Sequence, residues 1–183
     1  MSERRPIGPI LGGTLAGALL IVAAAPVMPQ EGPGLGVEAT PEEVAAWALT
    51  VLPSGDGLPP GSGTAREGRA IYAARCLACH GAEGQGGPND RLAGGHGTLT
   101  TASPVKTVGS YWPYATTIFD YIRRAMPFTE PQSLSADETY ALTAYLLYLN
   151  EIVTLDDLVD SRTLPAIEMP NAENFYWAYD ADD

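Results

Sequence analysis

Thiols and imidazoles are scarce in this chain, which holds two cysteines and two histidines in 183 residues. That shortage excludes a disulfide-knit scaffold and any array of zinc sites. Cations are few as well. Lys106 is the one lysine, the other basic residues are arginines, and the formal net charge is −12. Such a surface repels phosphodiesters and anionic lipid, so nucleic acid is excluded as a partner. A basic protein partner remains compatible. Aromatic residues make up 8% of the chain, too few for a large sheet core, and no internal repeat is present. Glycine (20) and proline (16) are plentiful. They crowd into residues 1–63 and 81–113, so much of the chain is expected to be loop.

One long apolar run exists. Behind Arg4 and Arg5, residues 6–30 carry no charge, and Ile10 to Met28 is strongly apolar over 19 residues. That length lies on the border between a signal peptide and a membrane-spanning helix. Ala23-Ala24-Ala25 has the small side chains of a cleavage site, whereas Pro26 fits poorly after a cut. Residues 1–30 are therefore expected to be a signal peptide or an N-terminal anchor, with possible membrane attachment through residues 7–28. Both readings export the remainder, and the periplasm is the expected compartment.

Residues 31–63 read as a linker with one short helix. In "TPEEVAAWAL", Thr40 stands at the N-cap, Pro41 at the first helical position and Glu43 two further on, a capping-box pattern. "LPSGDGLPPGSG" is expected to be extended and solvated. A helix is predicted from about Thr64 to Ala78, with Gly68 and Tyr72 on one face. Glycine inside a helix costs about 1 kcal/mol relative to Ala, so Gly68 points to close approach by another backbone. "ATTIFDYIRRAM" (115–126) reads as a helix stopped by Pro127. "SADETYALTAYLLYLNEIV" is the clearest helix, capped by Ser135 with Glu138 reaching back, and with Tyr140, Leu142, Tyr145, Leu146 and Leu149 on its apolar surface. The first and last of these three helices are expected to cross at Gly68 and Tyr145. From residue 151 onward nine acidic residues face a single arginine, and Phe175, Tyr176, Trp177 and Tyr179 follow each other closely. The folded domain is expected over 64–152, and 153–183 as an acidic tail whose aromatics dock on the domain or on a partner.

Three of the four thiol and imidazole side chains fall within "CLACH", at Cys76, Cys79 and His80. In an exported protein two cysteines default to a disulfide, and C-x-x-C also suits a redox pair or half a zinc site. Zinc needs two more ligands, and His96 alone is left. A thioredoxin-type pair expects a strand before it, where here a helix is expected. C-x-x-C-H is the attachment pattern of one covalent haem c. The two thiols would form thioethers, and His80 Nε2 would bind the iron while Nδ1 donates to a backbone carbonyl. Among the methionines, Met126 ends a helix before a rigid Pro-Phe turn and is the expected second axial ligand, with Met169 and His96 as alternatives. A thioether opposite imidazole favours ferrous iron and closes the metal to substrates, so electron transfer is expected rather than chemistry on a bound molecule. Ser110, Tyr111, Trp112 and Tyr114 are candidates to donate to the propionates, and Arg123 and Arg124 to offset their charge.

The segments "GDGLPPGSGTAREGRAIYAARCLACHG", "LAGGHGTLTTASPVKTVGSYWP", "TVGSYWPYATTIFDYIRRAMPF", "QSLSADETYALTAYLLYLNEIV" and "LPAIEMPN" together resemble the cytochrome c subunit of the Sox-type sulfane dehydrogenase, over residues 34–175. The resemblance implies an all-α cytochrome c fold, with three to four helices around a covalent haem and loop-rich terminal segments. It places attachment on Cys76 and Cys79 and axial ligation on His80 and Met126. It also implies a molybdenum-cofactor dehydrogenase subunit as partner in thiosulfate oxidation, and a downstream carrier such as a small cytochrome c. A related sulfite-oxidising molybdoenzyme is an alternative partner, and a stand-alone or membrane-tethered shuttle to a terminal oxidase an alternative role. Two departures stand out. No second C-x-x-C-H is present, and "NDRLAGG" lacks the family's proline at position 90. The His80 proton would then go to the carbonyl of Asp90 or of Pro88.

Overall fold

The computed structural model describes residues 35–176, so the expected signal or anchor at 1–30, and Trp177 and Tyr179, lie outside the described residues. Among the described residues no helix is long and apolar enough to cross a membrane. The elements are α1 (Pro41–Trp47), β1 (Ser62–Thr64), α2 (Ala65–Arg75), α3 (Leu77–His80), α4 (Ala115–Ala125), α5 (Ala136–Leu149) and β2 (Leu158–Asp160), followed by 3-10 turns at Leu164–Ala166 and Ala172–Asn174. The protein is mostly helical, as the sequence predicts.

Local chemistry sets the helix starts. Thr40, Thr64 and Ser135 each accept from the backbone three residues on, while Glu43, Glu67 and Glu138 accept from the N-cap backbone in return. Each reciprocal pair satisfies two orphan donors of the first turn. The cap at Thr64 was not singled out in the sequence, because "TARE" carries no apolar periodicity of its own. α2 ends at Arg75, three residues short of the predicted Ala78, and α3 resumes at Leu77. The break places Cys76 at the corner between two helices.

α2 packs across α5. A Cβ at Gly68 would sit inside the radius of the Ala141 carbonyl and 2.8 Å from Tyr145 Cβ, so only glycine permits this crossing. Tyr72 then lies against Tyr145, with ring centroids 5.2 Å apart. Phe119 of α4 packs on Tyr140 of α5 at 4.4 Å. Thr139, Thr143 and Asn150 are buried with them. The Thr143 hydroxyl donates to the Thr139 carbonyl one turn back at 2.7 Å, and Asn150 donates to the carbonyls of Leu92 (3.1 Å) and Leu146 (2.8 Å) while accepting from Gly94 N–H (3.0 Å). Every buried side-chain polar atom among the described residues is paired.

Two segments expected to lie outside the domain pack against it. In the linker, buried Val51 donates its N–H to Asp120 at 2.9 Å, and Tyr140 donates its hydroxyl to the Pro59 carbonyl at 2.8 Å. Glycine and proline there shape a loop that follows the helices instead of extending into water. In the tail, β2 pairs antiparallel with β1, with Gly63 opposite Val159. Val159, Leu164 and Met169 are buried in the core. The tail's acidic composition hid these apolar residues, which are spaced singly and show no helical or strand period.

Candidate haem site

α2 delivers the attachment motif. Cys76 sits at its C-cap, and the α3 turn that follows carries Cys79 and His80. The turn stops at Gly81, whose φ of +80° is a left-handed conformation that a side chain would strain. Tyr72 of α2 donates its hydroxyl to the Gly81 carbonyl at 2.8 Å. Burial pushes the Tyr72 hydroxyl up to about 12, so it remains a donor at neutral pH. The glycine-rich loop after His80 then folds back over the turn. Gly86 N–H donates to the His80 carbonyl at 2.9 Å, and Asn89 N–H to the Cys79 carbonyl at 3.0 Å. A Cβ at Gly87 would lie 2.8 Å from the Cys79 carbonyl oxygen. This wrapping brings the Asp90 carbonyl to 2.8 Å from His80 Nδ1. Of the two carbonyls open in the sequence, the structure selects Asp90, which fixes the ring and directs Nε2 away from that contact.

Cys76, Cys79, His80 and Met126 share the lining of one cavity, with Leu92, Trp112, Ile118, Ile122, Leu142 and Leu146 among its apolar walls. Its lining is predominantly apolar, which suits the face of a flat macrocycle. Met126 is the C-cap of α4, in extended conformation, so the helix ends at the thioether. Both cysteines are free. Burial, partly offset by the Arg75 cation, pushes the Cys76 thiol up to about 11. The donor set fits a haem: two free thiols and one oriented imidazole on the α2–α3 corner, one thioether in the same lining, and apolar walls for the ring. Among the described residues no three His, Cys, Asp or Glu side chains converge as a metal cluster.

Residues 63–146 match the family described as cytochrome c oxidase, cbb3-type, subunit III. No curated protein matches the chain. A solved structure does, the sulfane dehydrogenase SoxCD from Paracoccus pantotrophus, with 49% sequence identity and a TM-score of 0.76 over 83% of this chain and 75% of that one. The chain belongs to the Sox-type cytochrome c family. As a cytochrome c, the Sox-type chain takes haem c.

The other candidates fall in different places. Trp112 lines the cavity, whereas Tyr111, Arg123 and Arg124 do not. Tyr111 packs edge-on against Phe175 at 5.5 Å and holds Lys106 over its face at 4.7 Å. Arg124 pairs with the buried Asp120 one turn back, and Arg123 points toward the Leu49 carbonyl at 3.5 Å. In this Sox-type cytochrome Arg123 thus reaches the loop before β1, while Arg124 pairs within α4 with Asp120, the carboxylate that also accepts from Val51 N–H. Ser110 is buried, exchanging hydrogen bonds with Thr107. Of the alternative axial ligands, Met169 is buried in the core and His96 is exposed, and neither lines the cavity. The sequence reading missed Arg75 and Asn89 as lining residues. Arg75, directly before the first cysteine, was the available signal.

Proposed function

We propose that this Sox-type cytochrome is a periplasmic monohaem electron carrier. Cys76 and Cys79 would hold the haem covalently, and His80 and Met126 would bind its iron. It would take single electrons from a molybdenum-cofactor sulfane or sulfite dehydrogenase subunit during thiosulfate oxidation and pass them to a carrier such as a small cytochrome c. The observation that carries this is the meeting of Cys76, Cys79, His80 and Met126 in one cavity of a chain 49% identical to one solved in a sulfane dehydrogenase.

The bound group supplies a one-electron couple. The chain's own residues do the rest. Asp90's carbonyl holds the Nδ1 proton of His80, so Nε2 presents its lone pair. Leu92, Ile118, Ile122, Leu142 and Leu146 exclude water and lower the local dielectric. With His80 and Met126 both holding the iron, no open site would be left for a substrate atom, and the group would supply only one-electron transfer. A single C-x-x-C-H supports one haem.

The test is direct. Intact mass should exceed the mature polypeptide by one haem. Mixing the oxidised protein with the molybdenum subunit and its sulfane-loaded carrier should reduce it, and a bare-polypeptide mass or failure of reduction overturns the proposal. The cbb3-type match favours a second reading, a shuttle to a terminal oxidase. Rapid oxidation by oxidase-containing membranes, with no complex to a molybdenum protein, would select it.

A further inference from the structure

α1 is complete as a helix yet buries no face against the other described elements. It has proline at its start and the reciprocal cap of Thr40 and Glu43, at 2.8 and 3.2 Å. None of its residues is buried. Val44 and Trp47, three apart and so on one face, are 56% and 84% exposed. An isolated seven-residue helix is marginal in water, and a tryptophan left in solvent gains nothing from its large apolar surface. Four residues after Trp47 the chain is pinned, with Val51 buried and its N–H on Asp120. α1 is therefore a preformed apolar handle at the end of a short, anchored tether.

Charge and similarity indicate what covers it. Between Arg5 and Arg66 the sequence contains no cation, while Glu31, Glu38, Glu42, Glu43 and Asp56 supply anions. Glu42 and Glu43 stand in the first turn of α1. An acidic rim of this kind disfavours an anionic membrane and a second copy of a chain at −12, and favours a cationic rim around an apolar groove. The match to the sulfane dehydrogenase covers 83% of the chain, a longer stretch than residues 48–183, so the likeness reaches into the segment that holds α1.

We propose that α1 docks, through Val44 and Trp47, in a basic-rimmed apolar groove of the molybdenum-cofactor dehydrogenase subunit, as a tether separate from the haem-edge contact. This rests on the partner reading given above. None of the α1 residues lines the haem cavity, so the tether would hold the complex together while the haem face engages and releases. Amphipathic helices in grooves bind in this way, with aromatic anchors carrying most of the energy.

The experiment uses the full haem-loaded cytochrome, co-produced with the molybdenum subunit from the same source. Affinity is measured for the wild type, for Val44→Ser/Trp47→Ser and for Glu42→Lys. The double variant should bind at least tenfold more weakly. Glu42→Lys should weaken binding at low salt and converge on wild type at high salt. Haem spectrum and reduction by ascorbate should be unchanged in both. If the wild type binds and the double variant binds within twofold of it, the tether is refuted while the partner reading stands. If the wild type does not bind the molybdenum subunit, the partner reading fails and the tether with it. Loss in the double variant of wild-type self-association, or of wild-type binding to phosphatidylglycerol vesicles, in place of subunit binding would also overturn the proposal.

Discussion

Replacing Met126 by alanine removes the thioether that shares the cavity lining with His80. The loaded Met126→Ala protein should bind carbon monoxide in the ferrous state, lose the iron–thioether charge-transfer band and show a lower reduction potential. Unchanged spectra would return the second axial position to another residue. Arg75 offers a subtler test. Its guanidinium donates to Glu130 at 3.3 Å and to Ser133 Oγ at 3.2 Å, tying the helix before Cys76 to the loop that leaves Met126. These groups are largely exposed, so Arg75→Ala should cost only about 0.5 kcal/mol of global stability. It should nevertheless let imidazole displace the Met126 thioether at several-fold lower concentration, measured by optical titration. Equal titrations in both proteins would show that the loop is held without it.

At the scale of elements, the α2–α5 crossing makes the sharpest stability prediction. In an exposed helix, Gly→Ala stabilises by about 1 kcal/mol. At Gly68 the added methyl meets the Ala141 carbonyl and Tyr145 Cβ, so the sign reverses. Gly68→Ala should destabilise by about 1–3 kcal/mol in denaturant titration, and neutrality would contradict the close approach. β2 supplies a pH test. The backbone N–H groups of Thr163 and Arg162 both donate to Asp160 Oδ1 at 2.8 Å and hold its carboxyl down at about 2, below the ordinary 3.8. A depressed carboxyl stabilises the fold above the unfolded value, and that contribution fades as pH falls through about 2. Asp160→Asn should lower the melting temperature at neutral pH and flatten its decline between about pH 4 and 2. Parallel acid curves for the two proteins would remove the role.

For the whole molecule, the β1–β2 pairing joins both ends of the domain. A chain stopped at residue 152 loses Val159, Leu164 and Met169 from the core. At about 1.5–3 kcal/mol for each buried apolar side chain, that loss rivals the roughly 5–15 kcal/mol that holds a domain together. Circular dichroism of the truncated protein should show no cooperative unfolding transition. A native-like melt would mean that the tail is dispensable after all. Removing 165–183 takes away Met169 and also Asn171, whose side chain donates to the Tyr111 carbonyl at 2.8 Å. Such a deletion reports on folding as much as on partner binding.

Short-range chemistry was legible without the fold. C-x-x-C-H names its cofactor because two thiols and an imidazole at that spacing have few other uses, and Ser135 and Thr40 announce their helices because a cap acts on its own first turn. The glycine at 68 signalled a crossing, since its helical cost needs a reason. Tertiary structure alone decided the long-range partners: the Asp90 carbonyl for His80, Asp120 for Val51, and β1 for the tail. Those pairings depend on where a loop comes to rest after the helices have packed. Arg123 shows the limit most clearly, because charge is written in the sequence and direction is not. The side of α4 that faced the linker, and not the chemistry of arginine, set what it reaches.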